Sequence, residues 1–345
     1  METRLNLSRQ VLGLAVAVAT GLCLQKVGFI WIAPLIKNFN QQIIAVGMVG
    51  TIQVVLAVAY IVHQRVRSGR MPVLMPAPEY LLLMAAYGVA MVGTIGCSFA
   101  AFRMASNEWA VNTYITAVVV LAPTAVLERF VLGNKDAKTA QWIAIMIACL
   151  FAIAAVVSTT PATLGDAWWA FLSLGVACFI AIGIGIQKRM QMIQRRTAAT
   201  AWSLGFPLYS WGGVTMALIG FVFAVGSLIT ANTHPSTVEM PAPIYTNIHA
   251  WTIAFILAVA NAAFWSTRQK GMRFTGATSF LYTYTPLYLG GMVLINVLFG
   301  KAVPATQVIV AVGYFATYPL YFNTIRIFGR RTRAADVLPE TVSVH

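Results

Sequence analysis

Acidic side chains are the scarcest feature of this sequence. Nine Asp and Glu stand among 345 residues, and charged residues of both signs reach only 9%. A soluble domain carries roughly 25% charged residues, so the deficit excludes that class. The nine acids are Glu2, Glu79, Glu108, Glu128, Asp136, Asp166, Glu239, Asp336 and Glu340, and none falls in the middle of an apolar run. Histidine is likewise missing from those runs, His63, His234 and His249 lying outside them. Membrane acid–base chemistry and proton coupling usually need a carboxylate or imidazole at depth, so facilitated diffusion or exchange is favoured over proton coupling. A Gly-rich loop followed by Lys-Ser or Lys-Thr is also absent, which disfavours a primary pump. Cys23, Cys97, Cys149 and Cys178 all sit inside apolar runs with no Cys-x-x-Cys spacing, and read as packing thiols. No metal and no cofactor is expected.

What is present is apolar length. Hydrophobic residues make up 59% of the chain, in runs long enough to cross ~30 Å of hydrocarbon as helices. Barrel strands would read as short alternating segments, and none is found. We expect an all-α integral membrane protein with ten transmembrane helices, at about 11–33, 41–62, 80–101, 110–132, 140–158, 167–187, 204–230, 250–267, 275–299 and 304–323. Residues 1–190 with the N-terminal tail and 191–345 with a basic C-terminal tail are expected to be the two repeats, divided at the basic cluster Lys188, Arg189, Arg195 and Arg196.

The net charge of +14 does not point to nucleic acid, because the cations fall at alternate ends of the runs. Placing the N-terminus in the cytoplasm puts nineteen of the 23 Lys and Arg on that side, including Arg268 and Lys270. Lys37, Arg103 and Lys301 fall outside, and Lys26 lies within a span. This asymmetry is the positive-inside pattern. It predicts cytoplasmic N- and C-termini in an inner (plasma) membrane.

The halves repeat a phrase. Ala110 to Leu132 is apolar around Pro123, turns at Gly133, and resumes from Trp142 to Val157. Gly276 to Phe299 is apolar around Pro286, turns at Gly300, and resumes from Val308 to Tyr321. Gly133 and Gly300 are 167 residues apart, as are Thr139 and Thr306. With five spans per half the second copy is upside down, which predicts two inverted five-helix repeats. At Asn112–Ala154 and Thr275–Phe322 the chain resembles the drug/metabolite transporter superfamily, in particular its EamA-like ten-helix carriers. Pro123 and Pro286 match the family's central Pro, and Gly133 and Gly300 its turn Gly. Asn134 and Lys301 stand where the family has an acid. The resemblance implies alternating access around a central cavity.

Candidate residues follow from polarity at depth. Lys26, after Gln25, is costly inside a span, about 2.5–3.5 kcal/mol at its centre. It reads either as a cationic contact for a carboxylate or phosphate, or as a lysine snorkelling outward or paired with Glu108. Asn112, Tyr114 and Thr116 open the fourth span, and Tyr282, Tyr284 and Tyr288 mark the ninth. Asn261 and Trp265 lie one turn apart in the eighth. Together these suit a wet cavity for an amphipathic solute, while each singly also suits interhelical hydrogen bonding. Pro123 and Pro286 are hinge candidates, and Glu128 with Arg129 a gate or local pair. The expected partners are a small-molecule substrate and the lipid bilayer, for a monomer or homodimer. The expected function is secondary transport and not enzymatic; the rivals are a membrane-embedded lipid or glycosyl transferase and a non-transporting scaffold.

Overall fold

The structure is a computed structural model that describes residues 2–72, 80–104, 118–131, 139–159, 168–197, 202–233, 244–303 and 305–322. Its α-helices are α1 (Glu2–Ile32), α2 (Phe39–Ser68), α3 (Leu81–Met104), α4 (Leu121–Val126), α5 (Thr139–Thr159), α6 (Trp168–Thr197), α7 (Trp202–Thr233), α8 (Ile248–Thr275), α9 (Ala277–Leu298) and α10 (Ala305–Tyr321). No strand occurs among the described residues. Each predicted run holds a helix. Seven of them, α1, α2, α3, α6, α7, α8 and α9, are long and apolar enough to cross a membrane. The apolar part of α5, Thr139–Ala154, is shorter, as is the 17-residue α10.

The exterior is where the apolar surface lies. Leu24, Val58, Leu82, Leu150, Phe221, Phe255, Val297 and Phe315 are exposed, whereas Gln25, Gln53, Gln187, Asn261, Asn296 and Arg268 are buried. A lipid solvent favours this arrangement, since polar side chains find partners only inside the bundle. The protein is an all-α membrane-embedded chain.

Local sequence sets the helix ends. The Asn38 side chain accepts the Gln41 N–H at 2.9 Å to start α2, and Asn247 accepts the His249 N–H at 2.9 Å to start α8, as N-caps do. At the end of α9, Gly300 has φ 65°. The Gly300 N–H donates to Val297 O and the Lys301 N–H to Asn296 O, both at 2.9 Å. This is a Schellman cap, built on the turn glycine that the sequence repeat singles out; Gly133, its counterpart, lies outside the described residues.

The α8–α9 junction departs from expectation. The sequence suggests a span ending near residue 267 and a basic loop after it, yet α8 continues to Thr275 and only Gly276, at φ 84°, separates it from α9. Two things hold this break. The Gly276 N–H donates back to Met272 O at 3.1 Å. The Glu128 carboxylate, from the π-helical turn Leu127–Val131 after α4, accepts the Ala277 N–H at 2.9 Å and the Thr278 N–H at 3.1 Å, and the Thr278 hydroxyl also donates to it. An anion at a helix N-terminus satisfies orphan donors and faces the positive end of the dipole.

Packing follows a regular pattern. The main pairings are α2 with α7, α1 with α8, α3 with α6, and α5 with α10; α3 also meets α7, α2 meets α8, and α1 meets α9. The α2–α7 crossing is backbone on backbone. A Cβ added to Gly47 would come within 2.5 Å of Gly220 Cα, and one added to Gly50 within 2.5 Å of Ala217 N. Small residues let helices approach this closely in lipid.

Candidate functional site

α1, α3, α6, α8 and α9 surround a cavity, with Val120 closing it just before α4. α1 supplies Gln25, Lys26 and Phe29, α3 supplies Thr94 and Ser98, α8 supplies Phe264, and α9 supplies Tyr284 and Tyr288. The cavity has room for about two waters. An organic solute needs several hundred cubic ångströms, so this arrangement is too narrow at its centre to hold one.

Lys26 is 4% exposed. Its ammonium lies 5.4 Å from the Phe29 ring centroid and 5.5 Å from that of Phe102. It faces inward and does not snorkel to the lipid. Glu108, its possible partner in the sequence, lies outside the described residues. Beside it, Gln25 Nε2 donates to Asn261 Oδ1 at 3.4 Å, tying α1 to α8, and Asn261 Nδ2 is buried without an acceptor.

The site extends along α8 to a residue that the charge pattern had counted among the cytoplasmic cations. Arg268 is 0% exposed. Its guanidinium stacks on Trp265 at 3.7 Å and on Phe264 at 4.6 Å. Nη2 donates to Gln187 Oε1 at 3.1 Å and the Tyr284 hydroxyl is a further hydrogen-bond partner of the guanidinium, while Nε and Nη1 are buried with no acceptor among the described residues. Tyr87, edge-on to Trp265 at 5.4 Å, and Tyr284 lie within electrostatic reach of the guanidinium. Among the described side chains Glu128 is the sole carboxylate, and it is engaged by α9. Removing a charge from water without a counterion costs several kcal/mol, so this is an expensive place for an arginine.

The sequence candidates therefore separate. Gln25, Lys26, Tyr284 and Tyr288 line the cavity, Asn261 braces Gln25, and Trp265 carries Arg268. Tyr282 points elsewhere, stacked on Tyr314 at 5.1 Å and Tyr321 at 3.7 Å. Helical spacing explains the split, since positions 284 and 288 share a face that 282 does not. Asn112, Tyr114 and Thr116 lie outside the described residues. Pro286 sits inside α9 and cannot donate to the carbonyl of Tyr282; the Tyr314 hydroxyl donates to that oxygen instead, at 3.0 Å. Pro123 lies in α4, one turn before the π-helical turn that carries Glu128 and Arg129. Arg129 lies 5.9 Å from the Trp142 ring.

Arg268 and Tyr87 were the residues missed. The signal for Arg268 was spacing: Asn261, Trp265 and Arg268, at intervals of four and three, form one helical stripe.

A solved structure described only as "Crystal structure of protein" is similar to this chain, with a TM-score of 0.54 and 15% identity over 91% of this chain and 99% of that one. At that identity the likeness concerns the fold alone. No family model matches the sequence, and no curated protein matches it.

Proposed function

We propose that this protein is a secondary transporter of the drug/metabolite-transporter type, moving a small organic solute by alternating access. The carrying observation is the small cavity between the helices with Lys26 in its wall. A scaffold has no use for a buried cation beside a void, whereas a carrier in its occluded state does.

Two inverted five-helix repeats, dividing between α5 and α6 and not at the basic cluster near residue 190, account for the packing. If α1 to α5 correspond to α6 to α10, the α1–α8 pairing exchanges with α6–α3, and α3–α7 with α8–α2. The glycine crossing behaves likewise. An offset of 170 residues turns the Gly47–Gly220 contact into Ala217–Gly50, the neighbouring contact of the same crossing. The cavity is bordered by corresponding elements, α1 and α6, α3 and α8, Val120 before α4 and α9. A solute on such an axis can be opened to either side by rocking one repeat against the other. Pro286, whose backbone gap is bridged by the Tyr314 hydroxyl, is a fitting hinge. The charge asymmetry favours a ten-span, inner-membrane topology with cytoplasmic termini.

The test is twofold. Purified protein is screened by thermal shift against amino acids, nucleosides, sugar phosphates, choline-like cations and aromatic drugs, with Lys26→Ala beside it. Stabilising solutes are then tried for saturable counterflow in proteoliposomes. Stabilisation with counterflow upholds the carrier. Solutes that bind tightly and never cross would leave a receptor or scaffold in its place.

A further inference from the structure

We infer that the solute is an organic anion, an acid group on a small apolar or aromatic body, and that Arg268 is a second docking point for that acid group. This rests on the carrier reading above and adds the substrate class and a residue to it. Arg268 sits directly behind Phe264 and Tyr284, two of the rings that wall the cavity. Its guanidinium is fully buried and held in place by Trp265, Gln187 and Tyr284, with Nε and Nη1 lacking acceptors among the described residues. A purely structural arginine would have its donors satisfied, because hydrogen-bonded or paired burial is what makes such a charge tolerable. An oxyanion supplies what is missing, both the counter-charge and the acceptors.

Lys26 and Arg268 stand apart along one seam. α1 and α8 run antiparallel, with Gly28 against Leu257 and Gly21 against Ala260 and Phe264. Lys26 is thus level with about Ala258, and Arg268 lies ten residues further along α8, about 15 Å at 1.5 Å per residue. That is too far for one small acid to bridge. It suits two stations that the same acid group visits in turn, Lys26 in one half-cycle and Arg268 in the other, with Tyr284 and Phe264 as the partition between them. The aromatic walls would take the organic body.

The full-length chain is tested with benzoate and phenyl phosphate against the neutral isostere benzamide and the cation benzylammonium. Trp265 reports locally, because it lies under the guanidinium; its share of the emission is taken from the difference with Trp265→Phe. The anions are expected to shift Trp265 emission and raise Tm, and the neutral and cationic probes to do neither. Arg268→Gln should weaken benzoate binding roughly tenfold or more, as loss of a charged hydrogen-bond donor does, with Arg268→Lys between the two. Radiolabelled phenyl phosphate, which does not cross lipid unaided, should enter proteoliposomes with wild type and not with Arg268→Gln. If Arg268→Gln does not fold, the wild-type contrast of benzoate with benzamide and the Arg268→Lys titration decide.

Benzamide binding as tightly as benzoate would overturn the inference, as would Arg268→Gln binding and passing anions like wild type. Counterflow of benzylammonium or benzamide alone would overturn it and leave the carrier standing. Anion binding at Trp265 without passage would keep the anion site and sink the carrier. Silence of every probe at Trp265 would overturn the inference.

Discussion

Two helix crossings in this bundle are built on opposite principles. At α2–α7, glycine backbones touch, and a Cβ on Gly220 would lie 2.3 Å from Gly47 Cα. At α1–α8 the corresponding glycines meet softer neighbours: Gly21 has only ordinary contacts at 3.4 Å, and Gly28 faces the flexible end of Leu257 at 2.7 Å. The second crossing also carries the Gln25–Asn261 bond, Lys26 and Arg268. The first tolerates no inserted atom and so behaves as a fixed axis. The second leaves Gly21 at ordinary contact distance from α8, meets Gly28 with a leucine side chain, and borders the cavity. Rigidity and polarity have been assigned to different seams of one bundle.

The largest expected effect lies at the rigid seam. Gly220→Val forces α2 and α7 apart, which should cost about 3 kcal/mol or more, the upper range for overpacking. Gly28→Ala displaces one leucine tip and should cost about 1 kcal/mol. Gly290→Ala meets nothing within 4 Å and should move stability by less than about 1 kcal/mol, in the stabilising direction if helix propensity governs. Thermal unfolding in detergent ranks the three. Equal shifts would abolish the distinction between the crossings.

Next comes the tie between the halves. Glu128→Ala strips the Ala277 and Thr278 N–H groups of their acceptor, with an expected loss of about 1–3 kcal/mol. Glu128→Gln, which keeps an acceptor oxygen, should lose less. A Glu128→Ala protein as stable as wild type would mean that Gly276 alone holds the α8–α9 break. Smaller still is Tyr314→Phe, about 0.5–1.5 kcal/mol, since Tyr282 O then has neither Pro286 nor a hydroxyl. Pro286→Ala restores a backbone donor, so Tyr314→Phe should cost almost nothing in that background. The double-mutant cycle reads this coupling directly; additive effects would refute the bridging role.

Much of this was legible in the sequence because membrane burial writes in long apolar runs. The seven helices among the described residues that are long and apolar enough to cross a membrane fall where those runs are, and Lys26 stood out by sitting well inside one. Arg268 was illegible for the same reason in reverse. It follows a run and precedes Lys270 and Arg273, so charge counting assigns it to a loop, and only the continuation of α8 to Thr275 carries it into the bundle. Tyr282 failed differently. Composition marks a Tyr/Thr-rich helix, but only the packing partner of each face says that Tyr284 walls the cavity while Tyr282 stacks on α10. The Glu128 cap joins residues about 150 apart, and no local pattern signals such a contact.

One further small change is the one whose sign matters most. Lys26→Met keeps the length and apolar stem of the side chain and removes the charge. If the resting fold holds Lys26 without a counterion, losing that charge relieves desolvation, and the variant should melt higher, by about 1 kcal/mol of added stability. Replacing buried ionic groups by apolar ones has given gains of that order. The same variant should lose stabilisation by benzoate, because the site was left unfavourable for the solute to complete. A gain in stability with a loss of binding is the mark of a functional group held at a structural cost. Thermal unfolding of Lys26→Met with and without benzoate measures both at once. A lower melting temperature without ligand would show that the Phe29 and Phe102 rings already compensate the ammonium. The α1–α8 seam would then be as settled as the glycine crossing, with no need of an anion to fill it.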